Sequence, residues 1–384
     1  MQTGASTQPS NQENPMPRPS RVVDGLAPYD AVSSLDAIRA LPPDVVPLKL
    51  DWNESAIAPS RQVIEAIQKF LGNTHHLNWY PDLGATRLRT ALSSYAGVPA
   101  DSILVTNGSD DALDLLCKTY LDARDDVLVA WPTYGHFLVF ARSRGLEPRR
   151  VAAADPFEVP TRAILDAIGP RTQMVYLASP NNPTGVVVPN DDIAMLCRTF
   201  PTTLFLVDEA YHEFCGKTAA GLVERYPNLV VTRTFSKCFG IAGLRVGYLM
   251  TGPAVMHELR KLYNPKSVNV LAQVGAQAAL SDRLFREDYV REVGLSREYL
   301  AAALRARGAE ARSTEANFVL VRVREPMRLV GALETAGVFV RDRSHLDGFE
   351  GWVRFTVGTV PQMKDLVERI DRLLQADPAL LARF

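Results

Sequence analysis

The chain has 384 residues, 47% of them hydrophobic, which is enough for about two domains of ordinary size. Its 42 lysines and arginines nearly balance 43 aspartates and glutamates, and the formal net charge is −1. Nucleic-acid and membrane surfaces usually require a basic excess, so the composition argues against both kinds of partner. The four cysteines form no CxxC pair, which predicts free thiols in a reducing compartment.

The first 20 residues are rich in Pro, Ser, Gln and Asn and contain no apolar core. This composition predicts a disordered leader and not a signal peptide. No apolar run in the chain approaches the roughly 18 residues that a membrane span needs. The sequence therefore predicts a soluble, cytoplasmic protein.

From about residue 46, short apolar runs alternate with amphipathic stretches, including a helical pattern over residues 110–120. The runs predict strands over residues 102–106, 127–130, 174–178, 203–207, 229–233 and 245–250. Such strands, separated by helical patterns, indicate a buried, mostly parallel sheet covered by helices. Polar residues follow the carboxyl ends of the strands, where open α/β sheets bind their ligands.

After Leu280 the pattern changes, and a long charged amphipathic stretch over residues 282–307 precedes three further strands. Those strands are predicted over residues 317–323, 337–341 and 352–358, with helices after the first and the last. This order is typical of a smaller α+β domain. The predicted division is a leader over residues 1–20, an arm and part of the small domain over 21–54, a large domain over 55–269, and the small domain over 270–384.

The loop over residues 234–245 (TFSKCFGIAGLR) places Lys237 among apolar and small residues. A lysine taken alone is most often a solvated surface charge. Small neighbours, however, suit a backbone that approaches a ligand closely, and a desolvated lysine near other cations becomes a nucleophile toward a carbonyl. Ser236 precedes the lysine, and the planar guanidinium of Arg245 is suited to a phosphate.

Asp208 ends the strand TLFLV, and Tyr211 follows it in the run VDEAY. Such an aspartate could simply cap the next helix. Opposite a pyridine nitrogen, its negative charge would keep that nitrogen protonated, so that the ring can accept electrons. Tyr211 would then donate a hydrogen bond to the phenolic oxygen of the ring.

Two turns carry further candidates. In the turn SPNNPTG, over residues 179–185, two prolines would hold Asn182 toward a ring oxygen or a substrate. In NGSDD, Gly108 and Ser109 stand at the start of a helix, where free backbone N–H groups can bind a phosphate. On the simpler interpretation, Ser109 or Asp110 only caps that helix.

Together these blocks resemble the fold-type-I pyridoxal-phosphate aminotransferases, and most closely the histidinol-phosphate aminotransferase family. The likeness extends from APY at Tyr29 to VRFTVGT at Arg354. Between them, WYPD, NGSDD, PTY, SPNNPTG, VDEAY, FSKCFGIAGLRVGY, NFVL and VFVR follow the order of that family. The resemblance implies an α/β fold, with a large domain whose mostly parallel sheet is flanked by helices, plus a smaller α+β domain. It also implies pyridoxal 5'-phosphate as cofactor and a homodimer with shared active sites.

The resemblance assigns roles to single residues. Lys237 would be the catalytic Schiff-base lysine, and Asp208 and Tyr211 would contact the ring nitrogen and the phenolic oxygen. The other implied cofactor contacts are Gly108, Ser109, Asp110, Tyr134, Asn182, Ser236, Arg245 and, from a partner subunit, Tyr80. The implied substrate contacts are Tyr29, Asn53, Asn182, Lys266, Arg341 and Arg354. The implied reaction transfers an amino group from an amine or amino acid to 2-oxoglutarate, with no metal.

Three positions depart from the family pattern. Asn53 stands in WNESAIAP where NENP is frequent, Lys266 stands where a substrate-side tyrosine is expected, and Cys238 replaces a common alanine. Lys266 could be a surface residue, or its mobile charge could favour an acidic or otherwise non-imidazole substrate. Motifs for the cofactor do not identify the reaction, so a decarboxylase or cyclising eliminase on the same scaffold stays open. So does a non-catalytic regulator.

Overall fold

The computed structural model describes residues 19–24, 26–27, 34–72 and 77–384. Tyr29 and residues 1–18 of the expected leader lie outside this part of the chain. The strands in chain order are β1 Leu48–Lys49, β2 Ile103–Thr106, β3 Asp126–Ala130, β4 Arg149–Val151, β5 Thr172–Ala178, β6 Leu204–Asp208, β7 Leu229–Thr234, β8 Gly247–Thr251, β9 Glu310–Ser313, β10 Phe318–Arg322, β11 Val338–Phe339, β12 Arg341–Asp342 and β13 Trp352–Thr356.

Helices cover the strands on both sides of the larger sheet and one side of the smaller. They are, in chain order, α1 Arg21–Asp24, α2 Leu35–Arg39, α3 Arg61–Leu71, α4 Thr86–Ala96, α5 Ser109–Tyr120, α6 Gly135–Arg142, α7 Thr161–Ala167, α8 Asn190–Thr199, α9 His212–Cys215, α10 Pro253–Leu262, α11 Val270–Ser281, α12 Arg283–Ala306, α13 Pro326–Thr335 and α14 Val360–Ala376. Among the described residues no helix is long and apolar enough to cross a bilayer.

The larger sheet has seven strands in the order β2-β8-β7-β6-β5-β3-β4. Strand β8 is antiparallel to both of its neighbours, and the other pairs are parallel, so the predicted mostly parallel α/β sheet is confirmed. Alternate residues of β5 face opposite cores, because successive side chains of a strand point to opposite faces. Val175 and Leu177 pack with α4, α8 and α11, whereas Met174 and Tyr176 pack with α5, α6 and α10.

A second core lies between the smaller sheet and the helices α12, α13 and α14. This sheet is antiparallel, in the order β12-β13-β10-β9. Leu48 and Leu50 belong to the same core, since β1 pairs in parallel with β11. Helix α11 instead packs on α3 and α4 through Ala272 and Ala276. We therefore propose that the large domain extends to about residue 281 and does not end at 269.

A buried ion pair joins the end of β7 to the residue after β6. The side chains of Arg233 and Glu209 are 3% and 2% exposed, and Arg233 Nε donates to Glu209 Oε2 over 2.9 Å. Arg233→Met should lower the free energy of unfolding by about 3–5 kcal/mol, because it leaves a buried carboxylate without its counter-charge. Urea unfolding measures this difference.

The matched variants for this test are Glu209→Gln combined with Arg233→Met, and the surface change Arg61→Ala. The double variant removes both charges and should recover much of the loss, since no uncompensated carboxylate remains. Arg61 is 90% exposed in its side chain and should cost little. An Arg233→Met loss no larger than that of Arg61→Ala would contradict the prediction.

Candidate active site

A cavity of about 450 Å³ lies at the carboxyl edge of the parallel strands, where it meets the smaller sheet. Ala178, Asp208 and Thr234 end the strands β5, β6 and β7 and line one side of it. Arg341 and Arg354, from the antiparallel strands β12 and β13, line another. The cavity thus lies where open α/β sheets bind ligands, with a second domain contributing cationic side chains.

Lys237 follows β7 by three residues and reaches into this cavity. Its Nζ donates a hydrogen bond to the backbone oxygen of Trp52 over 2.8 Å and lies 6.0 Å from the ring centre of Tyr211. Burial, and then the positive charge of Arg354, lower the pKa of Lys237 to about 8. Because a lowered pKa leaves more of the amine neutral near pH 7, Lys237 is suited to attack a carbonyl.

Asp208 is buried at the end of β6 and is held by hydroxyls from both neighbouring strands. Its Oδ2 accepts from Tyr176 over 2.9 Å, and its Oδ1 accepts from Thr232 over 3.1 Å. Burial raises the pKa of Asp208 to about 6. No basic side chain of the described residues lies within ion-pair distance of this carboxylate. A cationic group bound in the cavity would therefore supply its missing counter-charge.

Tyr211 is positioned by Asn53, one of the substrate contacts that the family resemblance implies. Asn53 Nδ2 donates to the hydroxyl of Tyr211 over 3.0 Å, and Thr356 Oγ1 donates to Asn53 Oδ1 over 3.0 Å. Asn53 is fully buried, has a φ of +54°, and is not part of the described cavity wall. Its amide therefore orients the tyrosine, and its direct contact with a substrate stays a prediction.

A cup whose donors are suited to an anion lies at the start of α5. The first turn of this helix has backbone N–H groups without helical partners, which attract anions. Arg245 lies beside it and donates from Nη1 to Ser236 Oγ over 3.2 Å. Gly108 has a φ of +82°, and a Cβ there would lie 2.6 Å from Nη2 of Arg245. A side chain at this position would need a backbone conformation that L residues rarely adopt, and it would displace the end of the arginine side chain.

The side chain and the backbone of Asp110 play different parts in the cup. Its carboxylate accepts from the hydroxyl of Tyr134 over 3.0 Å and lies 3.5 Å from Nη2 of Arg245. A carboxylate repels a phosphate, so only the backbone N–H of Asp110 could bind one. The side chain instead holds Tyr134 and Arg245 in place.

Arg354 is 2% exposed and spans from the turn SPNNPTG to the segment after β1. Its Nη1 donates to Asn182 Oδ1 over 2.7 Å, and its Nη2 donates to the backbone oxygen of Asp51. Its Nε has no hydrogen-bond partner in the described part of the chain. Burial and the charge of Arg343 shift the pKa of Arg354 well below its ordinary value. This guanidinium is suited to an anionic group of a substrate.

Tyr80 and Lys266 lie away from the cavity and next to each other. Tyr80 is 77% exposed, and Nζ of Lys266 lies 5.1 Å from its ring centre. Trp79 is also 63% exposed. Neither residue lines the described cavity, so both roles stay predictions. Tyr29, the remaining predicted substrate contact, lies outside the described residues.

Sequence reasoning missed three residues that bear on the site. Tyr176 and Thr232 stood inside apolar runs that predicted only buried strands, and Arg343 was not singled out. Cα pairing places Thr232 opposite Asp208 on the neighbouring strand. The strand order was the missing information, because only adjacent strands can supply the two hydroxyls.

The side chains around the cavity fit pyridoxal 5'-phosphate. Lys237 offers an amine for its aldehyde, Asp208 a counter-charge for its ring nitrogen, and the cup beside Arg245 donors for its phosphate. These features define the class as an enzyme that holds a carbonyl cofactor on a lysine.

The chain belongs to the class I and II aminotransferase family, whose sequence model matches residues 46–370. It is 37% identical to a dihydroxyacetone phosphate transaminase of Campylobacter jejuni, over 84% of this chain and 89% of that one. It is 33% identical to a histidinol-phosphate aminotransferase of Methanosarcina mazei, over 91% and 94%. The protein is thus a pyridoxal-phosphate-dependent aminotransferase.

A solved structure shares the fold. It is a histidinol-phosphate aminotransferase of Sinorhizobium meliloti in complex with pyridoxal 5'-phosphate, with a TM-score of 0.84 and 23% identity. The match covers 94% of this chain and 99% of that one. At this identity the likeness establishes the fold, which agrees with the expected fold-type-I architecture.

Covalent capture of the cofactor by the apoenzyme should depend on pH through Lys237. With a pKa of about 8, roughly a tenth of this amine is neutral at pH 7. The second-order rate should therefore rise about tenfold per pH unit below that pKa and level off above it. Stopped-flow absorbance from about pH 6 to pH 9 measures the rate. The control is free Nα-acetyl-lysine, which keeps its side-chain amine. A rate that keeps rising tenfold per unit to the top of this range would contradict the lowered pKa.

Proposed function

We propose that this enzyme transfers an amino group between the glutamate/2-oxoglutarate pair and a small phosphate monoester. The observation that carries the proposal is Arg354, a buried guanidinium on the cavity wall. No carboxylate of the described residues lies within ion-pair distance of it. A desolvated cation of this kind is stabilised by an anionic substrate. The names of the two relatives add support, since histidinol phosphate and dihydroxyacetone phosphate are both phosphate monoesters.

The two named compounds also share the reacting part of the molecule. In each, the carbon that carries the amine or ketone is one methylene away from the phosphate ester. The proposed substrate has this unit, with an imidazole-bearing or a small hydroxylated group on the other side. With histidinol phosphate the enzyme would act in histidine biosynthesis. Lys266 in place of a tyrosine favours the less aromatic alternative.

The side chains of the cavity take the following roles in this proposal. The bound cofactor supplies a ring that accepts electrons from the substrate Cα. Lys237 Nζ would take the proton from the substrate Cα and later give it up, and a pKa of about 8 suits both roles. Asp208 would keep the ring nitrogen of the cofactor protonated. Tyr211, oriented by Asn53, would donate to the ring oxygen.

The remaining roles complete the cofactor and substrate contacts. Tyr134 would lie against the ring, and Asn182 would contact the ring oxygen or the substrate. Gly108, Ser109, Asp110, Ser236 and Arg245 would form the phosphate cup. Arg341 and Arg354 would bind the substrate phosphate.

A homodimer with shared active sites is part of the proposal. Large apolar side chains lie exposed near Tyr80, among them Trp79 at 63% and Leu83 at 56%. Exposed apolar groups that cluster in this way mark protein interfaces. Tyr80 would reach the cofactor phosphate of the partner subunit. Lys266, which lies beside Tyr80, would then also lie near the partner's active site. The near-neutral net charge and the free cysteines support a cytoplasmic location.

The test is a paired substrate screen on the yellow holoenzyme. L-Histidinol phosphate with 2-oxoglutarate should yield glutamate, or dihydroxyacetone phosphate with glutamate should yield 2-oxoglutarate. L-Histidinol and dihydroxyacetone are the matched controls that lack the phosphate, and both should react far more slowly. Equal rates with the controls, or faster transfer from aromatic amino acids, would contradict the proposal. Release of carbon dioxide without a keto acid would indicate decarboxylation instead.

A further inference from the structure

A chain of buried hydrogen bonds joins the smaller sheet to Tyr211. The hydroxyl of Thr356, at the end of β13, bonds to two groups of Asn53, and the amide of Asn53 reaches from Thr356 to Tyr211. Asn53 and Thr356 are 0% and 1% exposed. Because water has so little access to them, their polar groups need partners within the protein.

The backbone of Asn53 is fixed by the small domain. Its N–H donates to Thr356 Oγ1 over 3.0 Å, and its backbone oxygen accepts from Asn317 Nδ2 over 3.2 Å. The N–H of Thr356 donates in turn to the backbone oxygen of Leu50 over 2.9 Å. Asn53 has a φ of +54°, in the left-handed region that asparagine adopts more readily than most residues. What can still vary is which end of the Asn53 amide faces Tyr211.

The hydroxyl proton of Thr356 determines the direction of this amide. Thr356 Oγ1 accepts from the N–H of Asn53, and among the described residues its own proton is donated only to Asn53 Oδ1, over 3.0 Å. If the amide were reversed, its NH2 group would face Thr356, and the buried hydroxyl proton would have no acceptor, which is unfavourable. The amide oxygen therefore faces Thr356, and the NH2 group donates to the oxygen of Tyr211 over 3.0 Å.

This direction leaves the hydroxyl proton of Tyr211 available to the cavity. The tyrosine oxygen is the acceptor in the bond with Asn53, so its own proton is not used there. Tyr211 lines the cavity, and Nζ of Lys237 lies 6.0 Å from its ring centre. A reversed amide would present its oxygen to Tyr211 instead, and it would withdraw this proton from the cavity.

We propose that Thr356 is a positioning residue, whose hydroxyl fixes the direction of the Asn53 amide and so keeps the proton of Tyr211 for the ring oxygen of the cofactor. The inference rests on the role given to Tyr211 in the proposed function. Thr356 is not part of the described cavity wall, so it acts through Asn53 and Tyr211.

The test is an absorbance titration of the holoenzyme without substrate. The nitrogen that joins Lys237 to the cofactor shares a proton with the ring oxygen, and the colour changes when this proton is lost. A donor to the ring oxygen favours the deprotonated form, so it lowers the pH midpoint of the colour change. Thr356→Val removes the hydroxyl and should raise this midpoint by about one pH unit, as expected for a weakened hydrogen bond to a charged oxygen. Thr356→Ser keeps the hydroxyl and should retain the wild-type midpoint.

Thr251→Val is the matched control. It also removes a buried threonine hydroxyl, which donates to the backbone oxygen of Leu229 over 2.8 Å near the start of β7, away from the cavity edge. This variant should lose stability but keep the wild-type midpoint of the colour change. The unfolding midpoint and the cofactor content of each variant show whether it is folded. A Thr356→Val midpoint equal to that of wild type, or a shift that Thr251→Val shares, would overturn the proposal.

Vibrational spectra of the apoenzyme report the direction of the hydrogen bond without the cofactor. Ultraviolet resonance Raman bands of a tyrosine differ between a hydroxyl that accepts and one that donates, and subtraction of the Tyr211→Phe spectrum isolates Tyr211. Wild type and Thr356→Ser should show an accepting hydroxyl, and Thr356→Val should show a donating fraction. Asn53→Asp, whose ionised carboxylate can only accept, provides the reference for a donating hydroxyl. A Thr356→Val spectrum identical to that of wild type would also contradict the proposal.

Tyr211→Phe separates this inference from the proposed function. If Tyr211→Phe leaves the midpoint of the colour change unaltered, the role of Tyr211 is wrong and the role of Thr356 is wrong with it. If Tyr211→Phe raises the midpoint and Thr356→Val does not, only the inference about Thr356 fails. Neither titration contains a substrate. A shift in both variants would therefore support the role of Thr356 even if histidinol phosphate and dihydroxyacetone phosphate fail to react.

Discussion

Lys237→Ala should lower kcat by about 10⁴-fold and abolish covalent retention of the cofactor. General acid–base groups contribute about 10²- to 10⁴-fold, and the upper end is expected because this amine also forms the covalent link. Lys237 is the one lysine on the described cavity wall, so no neighbour can replace it. Its lowered pKa, about 8, results from burial that no surface lysine shares.

Borohydride reduction followed by peptide mass spectrometry locates the link directly. The added cofactor mass should fall on the peptide that contains Lys237, and it should vanish in Lys237→Ala. Added methylamine should restore part of the proton transfer in Lys237→Ala but not in Lys237→Arg, whose bulky side chain fills the space. Lys69→Ala, on the exposed side of α3, is the control and should behave as wild type. The assignment fails if the cofactor mass maps to another lysine.

The fold could be predicted from the sequence wherever burial determines the pattern. Strands β5, β6 and β7 are covered on both faces, so they are continuous apolar runs in the sequence. The reversed direction of β8 could not be predicted, because RVGYLM has the same composition in either direction. The edge strands β4 and β9 were missed for a different reason, although the edge strand β2 was predicted. In β4 and β9 charged residues such as Arg149 and Glu310 protect an edge from further pairing, and they remove the apolar signal.

The residues of the candidate site also divide into those that the sequence could predict and those that it could not. Lys237, Asp208 and Ser109 each follow or end a strand, and the shared carboxyl edge of a parallel sheet brings them to one cavity. Contacts between distant segments gave no such signal. Asn53 meets Tyr211 because a small-domain strand positions Thr356, and only the packing of the two domains determines that contact.

Asp208→Asn should lower kcat by about 10²- to 10⁴-fold, because it removes the charge that stabilises a protonated ring nitrogen in a buried place. Loss of one partner of a buried pair costs about 3–5 kcal/mol, which converts to this range. Single-turnover kinetics of each half-reaction measure the effect. A cofactor analogue methylated at the ring nitrogen carries its positive charge permanently, so it should restore activity to Asp208→Asn more than it changes the wild type.

Tyr176→Phe is the matched control for Asp208→Asn, since it keeps the carboxylate and removes only the hydrogen bond to Oδ2. A net hydrogen bond is worth about 1 kcal/mol, so kcat should fall only about fivefold. If Asp208→Asn and Tyr176→Phe lose activity equally, the charge of Asp208 is not what matters at this position.

Asp208→Asn should raise the stability of the apoenzyme at pH 7, although it lowers the activity of the holoenzyme. The pKa of Asp208 is raised to about 6 without cofactor, so the folded apoenzyme binds this proton more tightly than the unfolded chain. The resulting stability is complete below the unfolded pKa and is lost as pH rises through about 6, at a cost of about 3 kcal/mol by pH 7.

An asparagine carries no buried charge and so has no such cost. One of the hydroxyls of Tyr176 and Thr232 can accept from the amide NH2 while the other donates to the amide oxygen. Asp208→Asn apoenzyme should therefore be more stable than wild type at pH 7 and equal to it near pH 4, as urea unfolding would show. Cofactor should stabilise the wild type more than the variant, because only the wild type has a buried carboxylate that needs a cation. An apoenzyme destabilised by Asp208→Asn at both pH values would mean that this carboxylate serves the fold and not the cofactor.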